Sequence, residues 1–267
     1  GNPETFTVTV NPGAQVDSVA GQVLCVGEST DEILFTTSNT DGTTTYEWIN
    51  NNTAIGLAAS GIGDIPSFTA TNDTASALVA TIEVIPTYEN GGVTCTGNPE
   101  TFTITVNHGA QVDPVAGQVL CVGESTDEIL FTTSNTDGIT TYEWTNNNTA
   151  IGLAANGVGD IPSFVVVGSS VVSEIATIEV TPTYDFNGVT CTGNPETFTI
   201  TVNPGAQVDP VAGQILCVGE STDEILFTTS NTDGLTTYEW TNNNTAIGLA
   251  ASGIGDIPSF TATNDTA

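Results

Sequence analysis

The side chains of this chain that can do chemistry are five cysteines, one histidine and 31 carboxylates, with no lysine or arginine. Paired carboxylates can hydrolyse glycosides, clustered carboxylates can bind calcium, and paired cysteines can form disulfides. The carboxylates here are spread over turns and outward strand positions, which indicates a solvated acidic surface. We therefore predict that the chain is not an enzyme and has no catalytic or cofactor-binding residue.

The formal net charge of −31 removes several classes of function. Binding to a phosphate backbone rests on Lys and Arg, so the composition excludes a nucleic-acid partner. A P-loop and a Schiff-base enzyme each need a lysine, and attachment to anionic lipid needs a basic patch. No apolar run approaches the ~18 residues of a membrane span, so we expect no direct membrane insertion.

The elements that must position these side chains are copies of one unit. The segment GNPETFT begins at Gly1, Gly97 and Gly193, so the repeat length is 97 − 1 = 193 − 97 = 96 residues. That length matches an independently folding β-sandwich and exceeds the unit of a solenoid. Cysteine and tryptophan recur at the same spacing, at Cys25, Cys121 and Cys217 and at Trp48, Trp144 and Trp240.

Alternation of apolar and polar residues predicts strands with one buried face. Phe102, Ile104 and Val106 alternate with threonines, and Ile33 and Phe35 mark an earlier strand. Turn residues separate such runs, and we count about seven short strands per copy and no helix. The predicted fold class is all-β, a linear array of tandem immunoglobulin-like β-sandwich domains with the three tryptophans in their cores.

The phase of the strands predicts the domain organisation. Residues 1–14 are the last strand of a preceding repeat, 15–110 are repeat 1, 111–206 are repeat 2, and 207–267 are a truncated repeat 3. We call these copy 1, copy 2 and copy 3. An alternative for the first residues is that Gly1–Val10 completes the sandwich of another molecule by strand addition.

Two segments after the predicted turn at Asp41-Gly42, and one segment before it, carry a family resemblance. Residues 45–59 read TYEWINNNTAIGLAA, residues 63–68 read GDIPSF, and residues 25–29 read CVGES. This pattern resembles the PKD-like repeat of large cell-surface adhesins of Bacteroidota, among them flavobacterial gliding-motility adhesins exported by type IX secretion. The resemblance implies a surface filament or stalk, although similar modules also act as spacers in secreted hydrolases.

The cysteines favour a disulfide framework in an exported protein. The leading pairing is Cys25–Cys95 with Cys121–Cys191, which leaves Cys217 for a cysteine outside this sequence. However, Cys25 precedes the first hairpin and Cys95 lies between the last two strands, so the two fall at opposite ends of a simple sandwich. The alternative is a bond from Cys191 to Cys25, which links successive copies lengthwise.

Two further features have candidate roles. His108 stands where the other copies have Pro12 and Pro204, so we interpret it as a variant of the junction rather than a catalytic base. Calcium is the one metal that we consider, since Glu28, Asp31 and Glu32 cluster at one turn, near Asp17 in the sequence. No fixed ligand loop accompanies them, so the metal site stays unassigned and the expected cofactor is none.

These observations lead to a structural function. We predict a non-catalytic repeat that forms the shaft of an extracellular filament or adhesin stalk on a bacterial surface. Its partners are neighbouring repeats of the same chain and a surface or glycan target bound by parts outside this sequence. The alternatives are a glycan- or protein-binding module, a spacer of a secreted hydrolase, and a filament subunit that self-assembles by strand addition.

Overall fold

The computed structural model describes residues 1–264 and confirms the all-β class. The strands of copy 1 are β1 Gln22–Cys25, β2 Thr43–Asn50, β3 Ser60–Ile62, β4 Leu78–Asn90, β5 Val93–Thr96 and β6 Glu100–Asn107. They form one six-stranded sheet in which β1, β6, β4, β2 and β3 are neighbours in that order, while β5 pairs with β4. Within 1–264 the only helical segments are three short 3-10 turns, the first at Thr53–Ile55.

Copy 2 repeats this arrangement. Its strands are β7 Gln118–Cys121, β8 Ile139–Asn146, β9 Asn156–Val158, β10 Glu174–Phe186, β11 Val189–Thr192 and β12 Glu196–Asn203. Copy 3 has two strands, β13 Glu239–Thr241 and β14 Ser252–Ile254, which form a two-stranded sheet. The last three residues predicted for copy 3, 265–267, lie outside the described residues.

Strand β4 is the long central strand of the copy 1 sheet. Its first half pairs antiparallel with β6, from Leu78 opposite Val106 to Val84 opposite Glu100. Its second half pairs with β5 in a hairpin. Pro86 lies between these two pairings, which is where a residue without an N–H group interrupts a ladder least. The strand therefore runs through the proline for 13 residues.

The core of copy 1 lies between this sheet and a second layer of extended chain. Trp48, Ile82 and Ile104 of the sheet pack with Ile33 and Ile65 of that layer, all at most 5% exposed. We predicted a strand at Ile33 and Phe35, and this part of the prediction is wrong. The layer is held by isolated bridges, Ile33 to Ile65 and Ser29 to Thr69. Pro66 follows Ile65 and cannot donate to a continuous ladder, so six strands form rather than seven.

Each tryptophan packs on a glycine of the neighbouring strand. In copy 1, Trp48 is opposite Gly61 in the ladder of β2 and β3. A Cβ atom added at Gly61 would lie 2.2 Å from Cζ2 of Trp48. Trp48 and Trp144 are buried, while Trp240 in copy 3 is half-buried. The absence of a side chain at this glycine is what allows the indole to approach the neighbouring strand this closely.

The first residues differ from their counterparts in the copies. Residues 1–14, for which we predicted the last strand of a preceding repeat, form no strand. Phe6, Val8 and Val10 are 88%, 76% and 85% exposed, whereas Phe102, at the position of Phe6 in copy 1, is 5% exposed. The same sequence pattern is thus buried only where strands flank it.

The described chain divides into two compact units. The first comprises Gly1–Pro114, Phe131–Glu143 and Val180–Glu196, and the second comprises Val115–Leu130, Trp144–Glu179 and the chain from Thr197. The first unit therefore contains all of copy 1 together with residues 111–114, 131–143 and 180–196 of copy 2.

Candidate interface between copies of the repeat

The interface between copy 1 and copy 2 lies within the first compact unit and contains a disulfide bond between Cys25 and Cys191. Their Cα atoms are 5.6 Å apart, with a sequence separation of 166. The leading pairing from the sequence, Cys25–Cys95 and Cys121–Cys191, is therefore wrong. The alternative lengthwise bond between successive copies is the one that forms. The other three cysteines, Cys95, Cys121 and Cys217, are free thiols in this structure.

The geometry of β4 explains why the cysteines of one copy do not pair. Cys25 pairs with Asn107 at the end of the sheet where β4 begins with Leu78. Cys95 pairs with Tyr88 near the end of the same strand. Ten residues of β4, from Leu78 to Tyr88, separate the position of Cys25 from that of Cys95. This is a distance of about 33 Å at the usual rise per residue. A disulfide requires Cα atoms within about 7 Å, so a bond within the copy is excluded.

The disulfide is enclosed by apolar side chains from both copies. Cys25 and Cys191 are 9% and 2% exposed and form a cluster with Ala110 and Tyr184. Phe186 and Val189, which flank the tip of the hairpin between β10 and β11, pack against this cluster. The interface thus has a small apolar core of its own in addition to the covalent bond.

His108 is buried in the same interface and is 1% exposed. Its ring centroid lies 4.0 Å from that of Tyr184. Nδ1 lies 2.9 Å from the carbonyl oxygen of Gly109, and Nε2 lies 3.9 Å from a carboxylate oxygen of Asp137. These contacts give the imidazole a packing role between the copies, as the interpretation of a junction variant predicts.

Tyr184 is the largest side chain of this apolar cluster and is fully buried. Burial, with a smaller contribution from the charge of Asp137, raises the pKa of its phenol from 10.0 to about 12. Its hydroxyl has no hydrogen-bond partner among the described residues. The interface therefore favours the neutral phenol over the phenolate.

Polar contacts fix the register of the copies, and they recur at both junctions. The main-chain amide of Ala77 in copy 1 donates to Oδ2 of Asp137 in copy 2 at 3.0 Å. At the next junction, Ser173 donates in the same way to Asp233 at 2.7 Å. A backbone bond accompanies each pair, from Thr136 to Ala75 at 3.2 Å and from Thr232 to Val171 at 2.9 Å.

The last strand of copy 1 also contacts the hairpin of copy 2. Nδ2 of Asn107, the last residue of β6, donates to the carbonyl oxygen of Phe186 at 3.2 Å. Asn11 makes the equivalent bond to Asn90 of copy 1 at 2.8 Å. Residues around Asn11 therefore contact copy 1 as the end of copy 1 contacts copy 2.

Two of the acidic residues considered for calcium, Glu28 and Asp17, accept hydrogen bonds within copy 1. Oε2 of Glu28 accepts a hydrogen bond from the amide of Cys25 at 2.8 Å, which closes the turn after β1. Glu124 and Glu220 accept the equivalent bonds from Cys121 and Cys217. Within residues 1–264, no three His, Cys, Asp or Glu side chains lie together as a metal site would require. Calcium binding, which the sequence raised only as an alternative to having no cofactor, stays untested.

The structure was also compared with known proteins. No protein-family model and no curated protein matches the chain. Human mucin-like protocadherin EC1-2 is 11% identical, with a TM-score of 0.31, and the match covers 72% of this chain and 98% of that one. The Ig1-2 module of the Drosophila receptor tyrosine phosphatase DLAR is 12% identical, with a TM-score of 0.25 and coverage of 71% and 99%. At these identities and scores the comparisons carry no argument about function.

Across residues 1–264, no helix is long and apolar enough to span a bilayer.

Proposed function

We propose that this chain is a non-catalytic structural repeat that forms the shaft of an extracellular filament or adhesin stalk on a bacterial surface. The observation that carries the proposal is the disulfide between Cys25 of copy 1 and Cys191 of copy 2. A bond of this kind resists separation of neighbouring domains, which is the mechanical task of a shaft.

Three further properties support the proposal. Disulfides persist in oxidising compartments, so the bond favours an exported protein. The Asp137 and Asp233 contacts give successive copies the same attachment, as a regular shaft requires. The net charge of −31 keeps neighbouring shafts apart and in solution.

The finer assignment rests on the sequence resemblance of residues 45–68. On that basis the proposal includes a Bacteroidota surface adhesin, export by type IX secretion and a part in gliding motility. In this assignment the neighbouring repeats are the direct partners of each copy, and other parts of the protein bind a surface or glycan target.

Immunogold electron microscopy of producing cells, with an antibody against one copy, tests this proposal. Label along thin surface filaments is the expected result. Label only on compact protein in the medium would overturn it and favour the spacer of a secreted hydrolase.

A second candidate function is self-assembly by strand addition, favoured by the exposed apolar side chains of Phe6, Val8 and Val10. The residues after Gly1 would then pair with the open sheet of a second molecule. Light scattering over a range of concentrations tests this, with Phe6→Asp as the variant. Polymers that the substitution abolishes would support strand addition, and a monomer at all concentrations would contradict it.

A further inference from the structure

The inter-copy disulfide closes a loop that contains most of the two sandwiches. Cys25 is the last residue of β1, and Cys191 lies on β11. The strands from β2 to β10 are therefore all enclosed between the two bonded cysteines. A force that pulls on the two ends of the chain reaches Cys25 and then passes through the sulfur atoms directly to Cys191.

We propose that this bond carries the applied force past the enclosed strands, as a bypass, and so limits how far the chain can be extended. The enclosed strands can unfold, but their unfolding cannot lengthen the chain between its ends while the disulfide is intact. This goes beyond a structural spacer, because it assigns to one bond the control of extensibility under tension. Its biological value rests on the proposed function, since a shaft is the kind of element that is pulled.

The size of the effect follows from the sequence separation of 166. At about 3.3–3.6 Å per extended residue, the disulfide removes roughly 550–600 Å of available length. The disulfide encloses 190 − 25 = 165 residues, so 267 − 165 = 102 residues, including the two cysteines, remain outside the loop. These residues allow about 350 Å when fully extended. Without the bond, the whole chain reaches about 900 Å.

The position of the bond protects it from reduction in the folded state. Thiol–disulfide exchange requires a thiolate to reach one of the sulfur atoms. The two cysteines are 9% and 2% exposed, and Tyr184 and Ala110 pack beside them. The bypass therefore stays closed as long as the interface is folded.

Optical tweezers on the full chain, held through tags at its two termini without reductant, test the inference. For the wild type we expect a fully extended length of about 350 Å, and for Cys25→Ser about 900 Å, a gain of roughly 2.6-fold. Because the measured quantity is the extended length, it is informative even if the variant does not fold. A wild type that reaches about 900 Å, or a variant that stays at 350 Å, would overturn the proposal.

The matched control is Cys95→Ser, which removes a free thiol at the position of Cys191 in the preceding copy. Its extended length should equal that of the wild type. A longer control chain would mean that Cys25 pairs with Cys95 and would also overturn the proposal. This measurement is made on the isolated chain, so its outcome is independent of the cellular location that tests the proposed function.

Discussion

Asp137 of copy 2 accepts a hydrogen bond from the main-chain amide of Ala77 in copy 1, and the two heavy atoms are 3.0 Å apart. Asp233 and Ser173 repeat this relationship one copy further along. A carboxylate that bonds to a main-chain amide fixes both a distance and a direction. The same aspartate, which in sequence marks a turn, thus serves to attach each copy to the one before it.

Replacement of this aspartate should weaken the junction. We expect Asp137→Ala to lower the free energy of unfolding by about 1 kcal/mol, because the amide of Ala77 loses its acceptor. Urea denaturation followed by tryptophan fluorescence measures this. The matched control is Asp41→Ala, at the same position of copy 1, where the side chain is exposed and accepts no hydrogen bond from another copy in the described structure. Equal destabilisation by the two substitutions would contradict the docking role.

Tyr184 should make the interface sensitive to alkaline pH. Its folded pKa of about 12 lies above the unfolded value of 10.0, so the unfolded state releases the proton first as pH rises. The stabilising contribution is complete below pH 10.0 and is lost as the pH rises toward about 12. Tyr184→Phe should remove this loss, and it should be tolerated near neutral pH because the hydroxyl has no hydrogen-bond partner within residues 1–264. Unfolding curves measured over that pH range check both points, and an unchanged alkaline loss in the variant would refute them.

Gly61 should not tolerate a side chain. A Cβ atom there would meet the ring of Trp48 at 2.2 Å, so Gly61→Ala should lower the free energy of unfolding by about 1–3 kcal/mol. Gly205→Ala is the control, since a Cβ atom at Gly205 meets nothing within 4 Å. We expect the control to change stability by less than about 0.5 kcal/mol. Thermal unfolding of both variants distinguishes a steric clash at Gly61 from the effect of replacing a glycine at an open position.

Salt should stabilise the chain. It carries 31 carboxylates and no lysine or arginine, so screening relieves repulsion in the folded state. We expect the Tm to rise between about 0.02 M and about 0.5 M NaCl. Calcium chloride at the same ionic strength is the comparison. An equal rise indicates screening alone, whereas a larger rise that EDTA reverses would support calcium binding around Glu28, which the sequence raised only as an alternative to having no cofactor.

The sequence was sufficient to predict the sheet but not every element of the sandwich. Alternation at Phe102, Ile104 and Val106 identifies β6 because a strand with one buried face has that period. The same alternation at Ile33 and Phe35 suggested a strand, but Pro66 beside its bridge partner limits the ladder to single bridges. Alternation within one segment does not show whether the segment that lies opposite it in the same copy can form a continuous hydrogen-bonded ladder.

The interface was predictable only in part. The predicted order of the strands placed Cys25 and Cys95 at opposite ends of a copy, which argued for a bond between copies but left the choice open. The docking role of Asp137 was missed, because an Asp-Gly pair is already explained by a turn. The pairing of Trp48 with Gly61 was also missed, although both residues recur in all three copies, as Gly157 and Gly253 do with Trp144 and Trp240.

The most direct test of this account is a disulfide map of the unreduced chain by mass spectrometry. The chain has no site for trypsin, so digestion at acidic residues is required. The account predicts one crosslinked pair of peptides, which contain Cys25 and Cys191, with Cys95, Cys121 and Cys217 recovered as free thiols. A peptide pair that joins Cys25 to Cys95 would contradict it.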